Sequence, residues 1–249
     1  MRLARDPRVL GVLGTLLLCL AWEAVGASGL GGFTWPPLSR VVAMLADPDR
    51  WELFGRAAGS TLASAVSGYI AGALAGVALA MLTHFLPPLA PGADRLAAGM
   101  HAIPTVALAP VFLILLPADA TAPTLAGIGV AFLVYVAASS GLRASSAAHR
   151  DLFQVLGSRP GARLWRLDLP AGLPSIATGL RLAVPAALIG AVIGEWFGAP
   201  RGLGVLIVNG MQNFQIVLLW SAVLLVALIS LTAYLIAGAI ERAVHARFR

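Results

Sequence analysis

Long uninterrupted apolar runs constrain this chain more than any other feature. Six of them, at about residues 9–30, 57–82, 96–116, 123–142, 176–199 and 214–240, reach the roughly 20 residues that a helix needs to cross a hydrocarbon core about 30 Å thick. No water is available inside such a core to satisfy backbone N–H and C=O groups, so each run must close its own hydrogen bonds as an α-helix. Of the 249 residues 59% are hydrophobic and only 11% charged, under half the charged share of about 25% in an ordinary soluble domain. The expected fold is all-α: one polytopic membrane domain over residues 1–249, with six transmembrane helices. Arg2, Arg5 and Arg8 precede the first run, as in a signal peptide. The length of that run, and Trp22-Glu23 where a cleavage site would fall, favour a retained span.

The arginines orient the bundle. With the N-terminus in the cytoplasm, 13 of the 17 fall on the inner side: Arg2, Arg5, Arg8, Arg95, Arg143, Arg150, Arg159, Arg163, Arg166, Arg181, Arg242, Arg247 and Arg249. Only Arg40, Arg50, Arg56 and Arg201 fall outside. The positive-inside bias therefore predicts a multi-pass inner (plasma) membrane protein with both termini cytoplasmic and residues 143–175 as its one long cytoplasmic loop. A net charge of +6 distributed at the ends of apolar runs serves topology, so no nucleic-acid partner is expected. All the basic residues are arginine. A P-loop needs a lysine on the nucleotide phosphates, so this chain is not itself a P-loop ATPase. Cys19 is alone and cannot form an internal disulfide. No metal-ligand spacing and no nucleophile constellation is present, so no metal, cofactor or catalytic residue is expected.

Residues 151–170 form an arginine-rich amphipathic segment inside this apolar chain. The sequence predicts two short helices broken at 157–161, because glycine permits a tight bend and Pro160 suits a helix start. Leu152, Phe153, Leu156, Leu164, Trp165 and Leu167 are its anchoring groups, while Arg159, Arg163 and Arg166 face lipid headgroups or an acidic partner. The residues alone leave the membrane surface and a partner protein as equal explanations.

Elsewhere, Gly68, Gly72 and Gly76, and again Gly190, Gly194 and Gly198, recur every four positions, a spacing that lets helices pack closely. Pro104, Pro110 and Pro185 are expected to kink the third and fifth spans, as a gate would require and as many static bundles also show. Among ionisable groups in the spans, Glu195 is the foremost candidate for a path or gate, against a structural carboxylate. Glu23 is a weaker one. Arg181 can contact headgroups, pair with an acid or line a path. His101, with Pro104, is a further path or gate candidate.

Several of these residues resemble one family. Permease subunits of binding-protein-dependent ABC importers share a cytoplasmic EAA loop: Glu-Ala-Ala, three residues, Gly, nine residues, Ile, one residue, Leu-Pro. Aligned on Leu169-Pro170, this chain places Asp151 at the Glu position, Leu152 and Phe153 at the alanines, Gly157 at the Gly and Leu167 at the Ile. The bulky Leu152 and Phe153 depart from the family's small residues. His101-Ala-Ile-Pro104-Thr-Val-Ala107-Leu-Ala-Pro110 resembles a stretch of the nitrate/sulfonate/taurine branch, with His101 where arginine is usual. Trp22-Glu23, Thr178-Gly-Leu-Arg-Leu-Ala183 and Gly194-Glu-Trp-Phe-Gly-Ala199 look like the same branch.

The resemblance implies a type I importer permease fold that pairs with a second copy in the bilayer. It also implies cytoplasmic ABC ATPase subunits on the 151–170 loop and an extracytoplasmic solute-binding protein. The chain itself would not be an enzyme. The implied solutes are small anions such as nitrate, sulfonates or taurine, with pyrimidine vitamin precursors and riboflavin open as alternatives. The competing functions are a proton-coupled secondary transporter, which places ionisable groups near the midplane, and a non-transporting membrane scaffold.

Overall fold

The structure, a computed structural model, describes residues 7–248. Arg2, Arg5 and Arg249 of the charge count lie outside them, as does the side chain of Arg8. The described residues form helices and no strand: α1 (Pro7–Ser28), α2 (Leu38–Ala46), α3 (Pro48–Phe85), α4 (Ala90–Ala102), α5 (Thr105–Leu115), α6 (Ala118–Leu142), α7 (Ala147–Val155), α8 (Pro160–Arg163), α9 (Leu169–Glu195), α10 (Leu203–Gln212) and α11 (Ile216–Phe248). Five helices are long and apolar enough to cross a bilayer, or six if the bent pair α4–α5 counts as one crossing.

Several boundaries differ from the sequence reading: α6 starts at Ala118 rather than near Pro123, α11 runs to Phe248 rather than near Ile240, and three further departures have local reasons. α3 begins at Pro48 rather than near Ala57, because Asp47 caps it by accepting from the Asp49 N–H at 3.1 Å and Pro48 starts its first turn. Its 38 residues span about 57 Å, so its polar first turns extend past the hydrocarbon. The third apolar run is not a kinked helix: it turns by 95° at Ile103-Pro104. Pro104 lies in extended backbone there, φ −57° and ψ 122°, and opens α5. The fifth span starts well before Ile176, because helix runs from Pro160 into α9 through a π-turn at Leu164–Asp168.

α6 is the axis, flanked along its length by α3 and α9. Their shared core is mostly small and β-branched residues, Ala65, Ala126, Val130, Val134, Ala183, Ala187 and Ala191, joined by Leu188. Hydrocarbon gives helices no hydrophobic reason to associate, so close backbone packing must hold them. Gly68, Gly72 and Gly76 on α3 and Gly190 and Gly194 on α9 do this, whereas Gly198 lies past the end of α9 at φ +116° beside the Leu113 side chain and is not part of the packing stripe. A β-carbon at Gly72 would collide with the Gly127 carbonyl, and one at Gly76 would lie 2.6 Å from the Ala131 carbonyl. On the other flank, one at Gly190 would lie 2.6 Å from the Ala126 Cα, and Gly141 meets Gly172 just as tightly.

α11 packs on α9, α10 on α11, and α1 touches mainly α2. The outward faces carry Leu17, Leu74, Leu228 and Leu235, all exposed. Trp22, Trp35 and Trp220 form one cluster, with centroids 4.9–5.7 Å apart. The indoles of Trp22 and Trp220 donate to the carbonyls of Pro36 and Thr34, tying α1 to α11. Glu23 accepts from the N–H and the hydroxyl of Ser39, 2.8 and 2.7 Å, and so caps α2.

Replacing Gly72 or Gly190 by leucine should destabilise the bundle by at least the ~1–3 kcal/mol typical of overpacking. Thermal unfolding in detergent is expected to show a lowered midpoint for both. Gly59→Leu, where nothing lies within 4 Å of the added carbon, should leave it unchanged.

Candidate functional site

The loop of residues 143–175 is built by two helix ends and a glycine. Ser146 starts α7 by accepting from the His149 N–H at 3.3 Å. α7 ends at Gly157, whose φ of +65° is open to glycine at no steric cost. The Gly157 N–H donates to the Gln154 carbonyl and the Ser158 N–H to the Phe153 carbonyl, both at 3.0 Å, which completes a Schellman cap. Pro160 then opens α8. The π-turn that follows, in which the Leu169 N–H reaches the Leu164 carbonyl, lies just ahead of Pro170. Proline has no N–H to continue an ordinary helical ladder, so the shift in register falls where the ladder is already interrupted.

This geometry sorts the loop residues. Asp151, Leu152 and Gly157 are exposed, while Phe153, Leu167, Leu169 and Pro170 are half-buried. Leu152 (52% exposed), Val155 (85%) and Leu156 (71%) make an apolar stripe along α7, with Trp165 (66%) also open. Leu164 is core rather than an anchoring group, at 1% exposure. A short amphipathic helix presenting residues at i, i+3 and i+4 is the form in which a helix enters a partner's groove.

Asp168, which the sequence reading passed over, is the centre of this end of the molecule. It is 1% exposed. Its Oδ1 accepts from the Ser145 hydroxyl at 2.8 Å and its Oδ2 from Arg163 Nε at 3.1 Å, and His84 Nε2 lies 3.3 Å from Oδ2. One carboxylate thereby ties the end of α3, the link before α7 and the approach to α9. The signal was present: an acid between Leu167 and Leu169 has to be paired when buried.

The remaining candidates lie in three separate places. Glu195 is 2% exposed at the opposite end of α9. Its Oε2 accepts from the Thr61 hydroxyl at 3.1 Å and from the Gly204 N–H at 2.7 Å, while the Leu203 N–H donates to Thr61 Oγ1 at 2.8 Å. A carboxylate at the first turn of α10 is favourably placed against the helix dipole. Arg181 bonds Glu241 at 2.6 Å and lies 4.2 Å from the centre of the Tyr234 ring, joining α9 to α11. Thr178 donates to the same carboxylate at 2.6 Å. His101 stacks on Phe132 at 4.0 Å and 8°, beside the 95° corner at Pro104. Phe132 is near the middle of α6, so the broken backbone lies level with the middle of that helix, and His101, Ile103 and Pro104 are exposed there.

Residues 68–249 match the family described as binding-protein-dependent transport system inner membrane component. The chain is 31% identical to the riboflavin transport system permease protein RibX of Chloroflexus aurantiacus, over 94% of this chain and 88% of that one. It is 26% identical to a Bacillus subtilis protein named as the aliphatic sulfonates transport permease protein SsuC, over 88% and 80% of the two lengths. Its fold matches a chain of the MetNI methionine ABC transporter, solved in inward-facing conformations, with a TM-score of 0.69 at 16% identity, over 80% of this chain and 99% of that one. The fold and these relatives define a multi-pass permease of an ATP-driven importer. The chain belongs to the inner-membrane components of binding-protein-dependent ABC transport systems, and membership implies ATPase and solute-binding-protein partners.

Asp168→Ala removes the shared acceptor of Arg163, Ser145 and His84. It should cost on the order of 2 kcal/mol, less than a fully buried pair because Arg163 keeps access to water. A lower unfolding midpoint, only partly restored in Asp168→Asn, which keeps an acceptor for Ser145 but turns an amide donor toward Arg163, is the expected result by differential scanning fluorimetry.

Proposed function

We propose that two copies of this chain pair to form the translocation path, with both termini cytoplasmic and each α7 docked on a separate ABC ATPase. The observation that carries this reading is the Asp168 knot beneath an exposed apolar α7. Force applied to α7 has a route through the bonds of Ser145 and Arg163 to Asp168, and from there to the ends of α3 and α9. Asp151, Leu152, Phe153, Gly157, Leu167, Leu169 and Pro170 form or position that contact. The lack of any lysine supports a motor on another chain, and the 13-to-4 arginine asymmetry supports the orientation.

The path is assigned to the His101-Pro104 corner. Broken helices at mid-depth supply free backbone groups to a solute, as in other transporters. Arg181 and Glu195 act as ties that hold α9 to α11 and α10. The favoured solute is a small anion of the sulfonate class. The His101–Pro110 stretch and the sulfonate-named relative support it, as do Arg56 and Arg201 beside a cavity of about 470 Å³ at the end away from α7. A riboflavin-like heterocycle is the second reading, favoured by the relative so named.

Gly157→Pro cannot adopt φ +65° and loses the N–H given to Gln154. This variant, and Asp151→Arg combined with Gly157→Trp, should remain inserted while co-purification of the ATPase falls at least tenfold. Undiminished co-purification and uptake in both would remove the coupling role of α7.

A further inference from the structure

Beside the Asp168 knot, and sharing His84, Arg163 and Asp168 with it, is a cavity of about 510 Å³ whose other arginines, Arg143 and Arg150, the coupling reading does not use. It lies between the end of α3, the start of α4 and the end of α6. Three guanidinium groups line it: Arg143, Arg150 and Arg163. Each is fixed by the protein. Arg143 caps α6, with Nε on the Ser139 carbonyl at 3.1 Å and another nitrogen on the Ser139 hydroxyl. Arg150, from α7, donates to the Ser145 carbonyl. Arg163 is held by Asp168.

The acids on the wall offset only part of this set. Asp168 balances Arg163, and Asp94, which also accepts from the Tyr135 hydroxyl at 2.6 Å, balances one more, so three guanidinium groups against two carboxylates leave the cavity net positive. Among the described residues neither Arg143 nor Arg150 has a carboxylate within 4 Å. Helix capping explains one bond of Arg143 but not why a second, uncompensated arginine from α7 converges on the same space. Like charges held together repel, and a bound anion relieves that repulsion. Rigid guanidinium forks match phosphate oxygens in pairs. A cavity of about 510 Å³ is more than a bare phosphate fills. Basic pockets between transmembrane helices on the cytoplasmic side suit phospholipid headgroups.

We propose that this cavity binds a phosphate group, presented by an anionic lipid headgroup or free in solution. The site requires no ATPase, so its test is separate from that of the coupling role. The full chain is placed in phosphatidylcholine nanodiscs with a minor fraction of phosphatidylglycerol, and retained lipid is read by native mass spectrometry. In a second arm, inorganic phosphate is titrated into pure phosphatidylcholine nanodiscs and the unfolding midpoint followed.

Wild type should retain phosphatidylglycerol at least tenfold above Arg143→Gln/Arg150→Gln, and Arg50→Gln at the other end should match wild type. A phosphate-dependent midpoint in the second arm, lost in the double variant, identifies free phosphate as a source; retention in the first arm alone identifies lipid. If the double variant does not fold, Arg143→Lys/Arg150→Lys keeps the charge but loses the fork and should bind about three- to tenfold more weakly. Equal binding by wild type and a folded variant overturns the proposal. So does the absence of both ligands from wild type, including the case where the variant instead loses ATPase co-purification and the cavity holds an acidic partner side chain.

Discussion

The structure depends on how closely α6 approaches α3 and α9. Glycines on the flanking helices meet α6 backbone where a β-carbon has no room, at Gly72 on one side and Gly190 on the other. Apolar side chains gain nothing from one another in hydrocarbon that lipid does not also supply, so contact of this kind must provide the association. It fixes the axial register of the three helices. That register places Ser145, His84 and Arg163 around Asp168 at one end and Thr61 beside Glu195 at the other.

The two carboxylates divide the molecule by function. Each is nearly fully buried and each joins segments distant in sequence. Asp168 connects the three-helix core to the loop that carries α7, whereas Glu195 connects it to α10. The α4–α5 corner breaks the regular bundle level with the middle of α6, where His101 stacks on Phe132. In the proposed reading α7 is the handle on which an ATPase acts and this corner borders the path.

Much of this was legible in the sequence because it follows from periodicity and spacing. The apolar runs gave the all-helical class, the glycine stripes marked packing faces, and Gly157 with Pro160 marked the break in the loop. What stayed hidden depends on tertiary partners. Pro104 announced an interruption but not a 95° turn, since proline removes a hydrogen bond without dictating where the chain goes next. Asp168 was overlooked between two motif leucines, because its partners His84 and Ser145 lie 84 and 23 residues away. Glu195 could be singled out as costly, but its bonds to Thr61 and to the Gly204 N–H at the start of α10 depend on partners that the sequence does not place beside it. The continuity of helix from Pro160 into α9 was masked by Pro170, whose missing N–H is accommodated by the π-turn before it.

The central claim is that this chain conducts solute only when an ATPase acts on α7 and a binding protein delivers cargo. Reconstitution in proteoliposomes with the ATPase inside and the binding protein outside tests it directly. ATP-dependent uptake should appear only with all three components, and ATP turnover should rise several-fold when solute-loaded binding protein is added. Uptake by the chain alone, or turnover indifferent to the loaded binding protein, would contradict the account.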